Sequence, residues 1–170
     1  MENAKLFVFG LDQAGKTALL FLIRTNACAP NTKPTLGFDI NKLVMKDLEI
    51  IIWDAPGQMK FRNDWGKGFT KAQLLLFILD TANKARFTEA KREFDKVLSD
   101  PATKELPLIF CFHKADLPDA RKYLQKAREV FHLDSITDRK VVMFNTSIHN
   151  CEEINSIKDA IVNLIIQIKK

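Results

Sequence analysis

Six short apolar runs recur along the 170-residue chain, and helix-length amphipathic stretches separate most of them. They are Leu6–Phe9, Phe38–Val44, Leu48–Trp53, Leu74–Leu79, Leu108–Phe112 and Val141–Phe144. A run that is apolar at every position needs cover on both faces, as a strand of a parallel sheet has. The last three runs are therefore expected to be buried and parallel. Phe38–Val44 only partly alternates, and Lys46-Asp47 before Leu48 makes a plausible hairpin turn. The helical period of 3.6 residues shows between the runs. Thr17–Arg24 follows the first strand, Phe87, Ala90, Phe94 and Val97 are spaced 3, 4, 3, and Pro118–Phe131 is basic on its outer face. At the end, Ile154, Ile157, Ile161, Leu164 and Ile168 are spaced 3, 4, 3, 4. Asn150 with Glu153 resembles a capping box for this last helix, and Lys169 and Lys170 suit its negative end. Strand, helix, hairpin and then strand–helix alternation predict an α/β fold: three layers, a six-stranded mostly parallel sheet, helices on both faces. No linker or repeat divides residues 1–170, so one domain is expected.

Composition narrows the function classes. The run Leu74–Leu79 has six residues, far short of the roughly 20 that span a membrane. Twenty-six basic and 21 acidic side chains leave +5, with the signs interspersed, which predicts a solvated surface and no nucleic-acid partner. Three scattered cysteines point to a reducing, cytoplasmic setting. Thirteen phenylalanines against one tyrosine fall mostly on strand and core-helix positions and are expected to pack. Residue 2 is Glu, which excludes N-myristoylation, and Gln167-Ile168-Lys169-Lys170 carries no prenylation box.

The chemistry lies in the loops that follow the strands. Gly10-Leu11-Asp12-Gln13-Ala14-Gly15-Lys16-Thr17 matches G-x-x-x-x-G-K-[S/T] between a strand and a helix, the context that motif requires. Gly15 lets the backbone curl so that successive N–H groups, from Asp12 to Ala18, face a phosphate at the positive end of a helix. Lys16 is suited to reach β- and γ-phosphates, and the Thr17 hydroxyl to bind Mg²⁺. Asp54-Ala55-Pro56-Gly57 ends an apolar strand as D-x-x-G. Asp54 can hold Mg²⁺ through a water, the Gly57 N–H can meet a γ-phosphate, and the neutral amide of Gln58 can orient an attacking water as the catalytic residue. Thr35, in Pro34-Thr35-Leu36-Gly37, can bring a second hydroxyl to the metal from a loop over the phosphates. Taken alone, Thr35 or the D-x-x-G is equally well a surface turn. His113-Lys114-Ala115-Asp116 follows another strand. The Asp116 carboxylate can accept from N1–H and the exocyclic amine of guanine, a pair adenine does not offer. The Lys114 stem can cover one face of the base. Backbone N–H groups of Ser147 and Ile148, in Asn145-Thr146-Ser147-Ile148, can read the guanine O6.

Together these motifs resemble the small GTPases of the Ras superfamily, over essentially the whole chain. Gly10–Thr17 and Pro34-Thr35-Leu36-Gly37-Phe38 look like the Arf branch. Ile52-Trp53-Asp54-Ala55-Pro56-Gly57-Gln58-Met59, His113-Lys114-Ala115-Asp116 and Thr146-Ser147-Ile148 look like the Rag/Gtr branch. The resemblance implies a P-loop NTPase G domain that binds GTP and GDP with Mg²⁺ and hydrolyses GTP slowly, on the order of 10⁻⁴ per second without an activator. The loops at residues 26–37 and 54–70 would reorder on hydrolysis and change the affinity for effectors, with exchange factors and activators as further partners. No arginine stands in an evident place to act in cis, so a partner is expected to supply one.

Three positions depart from the usual pattern. His113 stands where most members have Asn, so one ring nitrogen replaces part of that amide's bonding. Pro56 fixes φ just before Gly57 and removes one N–H, which is expected to stiffen the segment that follows. Asp12 puts a negative charge near the γ-phosphate, as in the Arf pattern. The amphipathic helix that precedes the first strand in Arf proteins and the C-terminal domain of Rag proteins are both missing from the sequence, so membrane contact is expected only through partners, with a heterodimer left open. Two other function classes compete with the switch: a guanine-nucleotide-binding interaction module with negligible hydrolysis, and an adenine-specific P-loop kinase or ATPase in which Asp116 is accidental.

Overall fold

The structure is a computed structural model that describes residues 2–27 and 32–169. The elements follow the order β1 (Glu2–Phe9), α1 (Lys16–Thr25), β2 (Asp39–Met45), β3 (Leu48–Asp54), α2 (Trp65–Phe69), β4 (Leu74–Asp80), α3 (Phe87–Leu98), β5 (Leu108–His113), α4 (Pro118–Phe131), β6 (Val141–Thr146) and α5 (Cys151–Ile168). The sheet order is β2-β3-β1-β4-β5-β6. Only the β2–β3 pair is antiparallel. Its two-residue connection, Lys46-Asp47, places Lys46 at a left-handed φ of 53°, as tight hairpins require. The expected six-stranded, mostly parallel sheet is thus observed.

The side-chain period of two sorts the strands' residues into two unlike layers. Leu6, Val8, Leu76, Ile78 and Ile109 face α1 and α5 in an aliphatic core. Phe7, Phe9, Phe77, Phe110 and Phe112 face α2, α3 and α4. There the rings of Phe9, Phe94 and Phe110 stand 4.9, 4.9 and 5.1 Å from that of Phe77, and Phe131 closes against Phe94 at 5.4 Å. The phenylalanines are packing, as expected from their positions. Asn150 caps α5 by accepting from the Glu152 and Glu153 N–H groups, while its amide donates to the Glu153 carboxylate at 3.0 Å.

Two expectations need correction. β6 pairs in parallel as predicted, but it lies at the sheet edge and is half-buried, with Met143 37% exposed. The segment 54–70 is not all loop: Met59–Asp64 forms 3₁₀ turns that lead into α2. Trp65 and Phe69, one helical turn apart, are buried there. Part of the other expected loop, residues 28–31, lies outside the described residues, as does Lys170.

The parallel strands all point their C-terminal ends to one side, where a crevice forms. Register brings the chemistry there to one level. Asp54 pairs with Val8, Asp80 with His113, and His113 with Thr146.

Candidate functional site

A cleft of about 470 Å³ opens at this end of the sheet. Asp12, Gln13, Gly15, Lys16, Thr17, Ala18, Thr35, Gly57, Gln58, His113, Lys114, Asp116 and Ile148 line it. Three other expected residues lie beneath its surface. Ala14 is buried in the turn that its N–H closes on the Leu11 carbonyl. Ser147 is buried and accepts from the His149 N–H. Asp54 is fully buried behind Thr17. Sequence reasoning missed Leu117 and His149, which also line the cleft.

The loop 10–17 between β1 and α1 curls because Gly15 adopts φ 93° and Gln13 φ 63°, both left-handed. Gly15 has a second reason to lack a side chain. A Cβ there would come within 2.7 and 2.8 Å of the His113 ring. His113 therefore supports the loop by contact, and its Nδ1 shares a 2.8 Å hydrogen bond with the Thr146 hydroxyl. Lys114, at φ 60°, donates to the Gln13 carbonyl at 2.8 Å and to Asp80 at 2.7 Å. Its amine thus ties the loop to the end of β4 while its stem borders the cleft.

Burial first, then the Lys114 charge, push the His113 imidazole down to about 4, so the ring is neutral near pH 7. The sign follows from linkage. A proton is taken up by the unfolded chain near the ordinary value of 6.5, but by the folded one only near 4. This residue's share of stability is complete above about 6.5 and is lost as pH falls toward 4, about 3 kcal/mol in all. Urea unfolding at pH 7 and pH 4.5 should show that loss, and His113→Asn should flatten it; an unchanged slope in the variant would refute the assignment.

At the other end of the cleft, oxygen donors converge. The Thr17 hydroxyl donates to Asp54 Oδ2 at 2.9 Å and lies 3.2 Å from the Thr35 hydroxyl. Asp54 Oδ1 is buried with no hydrogen-bond partner among the described residues. Burial raises the Asp54 carboxyl to about 6 despite the Lys16 charge and the Thr17 bond. An all-oxygen set with a spare buried carboxylate oxygen fits a hard divalent cation. Lys16 is 6% exposed, and burial lowers its amine to about 8. That amine donates to the Leu11 carbonyl at 2.9 Å. Gly57 lies tight against the loop: a Cβ there would be 2.6 Å from Lys16 Nζ and closer still to the Asp12 amide.

The segment after Asp54 is held from behind. Trp65 Nε1 donates to the Pro56 carbonyl at 2.8 Å, and Arg62 Nε to the Gly57 carbonyl at 2.7 Å. Arg62 also donates to Glu89 at 2.8 Å and to Asp12 at 3.2 Å. Arg86 joins from the turn before α3, donating to the Asp12 carbonyl at 2.9 Å and its carboxylate at 2.8 Å. Two arginines thus reach the loop 10–17 through Asp12.

Comparison with known proteins gives the family and agrees with the fold. The ADP-ribosylation factor (Arf) family matches residues 1–165. ADP-ribosylation factor-like protein 6 of Danio rerio is 33% identical over 141 residues, covering 81% of this chain and 75% of that protein. The solved structure of the Arl6 (BBS3) small GTPase of Trypanosoma brucei, with the nucleotide analogue GppNp bound, shares the fold at a TM-score of 0.80. It is 21% identical, and the match covers 95% of this chain and 98% of that one. With the match running from β1 into α5, the chain belongs to the Arf family of small GTPases.

Proposed function

We propose that this protein is a guanine-nucleotide switch that binds GTP and GDP with Mg²⁺ and hydrolyses GTP slowly until an activating partner assists. The observation that carries this reading is the length of one cleft. Lys16, Thr17, Thr35, Gly57 and Gln58 occupy one end and His113, Lys114, Asp116 and Ile148 the other. GppNp bound to the T. brucei relative supports a guanine nucleotide in the same crevice.

In this reading the amides of residues 13–18 cradle the phosphates, and Lys16 Nζ exchanges the Leu11 carbonyl for β- and γ-oxygens. Thr17, Thr35 and Asp54 would hold Mg²⁺, Asp54 through a water, and the ion would supply positive charge to offset that of the phosphates. Gln58 accepts from the attacking water and lines it up with the γ-phosphorus. Thr35 and the Gly57 N–H touch the γ-phosphate only in the GTP state, so hydrolysis releases residues 32–37 and loosens Gly57. Asp116, Ser147 and Ile148 select guanine, with a Rag-like His113 between base and loop. Effectors, exchange factor and activator read the rearranged surface in a cytoplasmic setting.

The first test is to denature the purified protein and identify the released nucleotide by chromatography. GDP or GTP is expected; adenine nucleotide would overturn the base assignment. A Gln58→Leu variant should keep its affinity for GTP and lose activator-stimulated phosphate release by roughly 100-fold or more, the scale of removing a group that acts only in the transition state. Unchanged stimulated release would remove Gln58 from its role.

A further inference from the structure

Asp12 is an odd residue to find beside a γ-phosphate. Its amide and the Lys16 amine both lie against Gly57, at the γ end of the cleft in this reading, so its carboxylate adds a negative charge near the one by which GTP exceeds GDP. Arg86 binds that carboxylate and the same residue's carbonyl, and Arg62 adds a third contact. Glu89 in turn bonds both guanidinium groups. Burial pulls the Asp12 carboxyl up, but the Arg86 bond and charge with that of Arg62 outweigh it and hold it below its ordinary range. The carboxylate is thus ionised, with both guanidinium groups donating to its Oδ1. Arg62 is 3% exposed and also fixes the Gly57 carbonyl, so one group ties the γ-facing glycine to the neutralised aspartate.

Resting on the switch reading, we propose that Arg86, with Arg62, is a specificity-determining pair that cancels the Asp12 charge, so that the cleft accepts a nucleoside triphosphate as readily as a diphosphate. The arginines act through Asp12 and Gly57 and are positioning residues. Arg86 is the better probe, because at 27% exposure its loss threatens the core less than that of buried Arg62.

The experiment measures the affinities of GDP and GppNp, both with Mg²⁺, for wild type, Arg86→Ala, Asp12→Asn and the double variant. Arg86→Ala should weaken GppNp about 10-fold more than GDP, the scale of one unit charge acting across a half-buried site. The double variant should return the GDP-to-GppNp ratio to that of Asp12→Asn, and Arg86→Lys should fall between wild type and Arg86→Ala. A rescue by removing a negative charge is not expected of an arginine that merely holds the fold. Equal weakening of both nucleotides, or a double variant that keeps the deficit, overturns the proposal alone. A wild type that binds neither nucleotide overturns the switch reading and this assignment with it.

Discussion

An Asp116→Asn variant is expected to lose guanine-nucleotide affinity by roughly 10²- to 10⁴-fold, the worth of two hydrogen bonds to a charged acceptor, and to gain affinity for xanthine nucleotides. The carboxylate offers acceptors only, matched to N1–H and the exocyclic amine of guanine. An asparagine presents one donor in their place, which opposes a guanine donor and suits the carbonyl that xanthine carries instead of the amine. The backbone that presents the side chain is held without it. The Ala115 N–H donates to the Thr146 carbonyl at 2.9 Å, and the Leu117 N–H to the Lys114 carbonyl at 3.0 Å. Asp116 itself is exposed on the cleft, so the substitution leaves the core intact. Competition binding with GDP, XDP and ADP on the folded variant checks the claim. Retained GDP preference would show that Asp116 does not read the base, whereas a wild type that prefers ADP would favour an adenine-specific P-loop protein.

The same residues show why some of the site was legible in the sequence and some was not. The loop 10–17 and the hairpin at Lys46-Asp47 are local devices: a few adjacent residues dictate the backbone, so pattern alone places them. The two arginines are the opposite case. Arg62 and Arg86 lie 50 and 74 positions from Asp12, and nothing in a basic residue among Lys60, Asp64, Lys84 and Glu89 separates a buried, triply bonded guanidinium from a solvated one. A D-x-x-G-Q followed four residues later by Arg is the signal to look for. The short helix α2 was hidden for another reason. Gly66 and Gly68 weaken helical propensity there, yet Gly68 is needed because a Cβ would run into Phe7 and Phe38. The half-exposure of β6 depends on sheet order, and an apolar run carries no information about being last in that order. His113 looked like a loss of an amide's bonds, whereas the structure shows the ring filling the space above Gly15. That contact depends on a left-handed glycine 98 residues earlier, beyond the reach of any local rule.

Withdrawal of nucleotide and Mg²⁺ is expected to lower the melting temperature by roughly 8–16 °C from its value at about 1,000 times the Kd of Mg·GDP. The cause is visible in two groups. Lys16, lowered to about 8 by burial, carries its charge at a cost that is present below that value and relieved only as pH rises toward 10.5. Asp54, raised to about 6 by burial, carries its charge at a cost present above that value and relieved as pH falls toward 3.8. Near pH 7 both are in their costly ionised forms. Each partly offsets the other, but Asp54 Oδ1 has no hydrogen-bond partner among the described residues, and the Lys16 amine has a carbonyl where it could have phosphates. The folded chain keeps these charges dehydrated for a ligand that satisfies them, and the ligand's binding energy appears as stability. Thermal unfolding with Mg·GDP, with GDP and EDTA, with Mg²⁺ alone and with neither separates the two contributions. GDP with EDTA should give only part of the rise and Mg²⁺ alone little, because the threonine hydroxyls and one carboxylate are a weak set until phosphate oxygens complete it. Equal melting with and without Mg²⁺ at saturating GDP would remove Thr17, Thr35 and Asp54 as metal-holding residues, and equal melting with and without nucleotide would remove the cleft as its site.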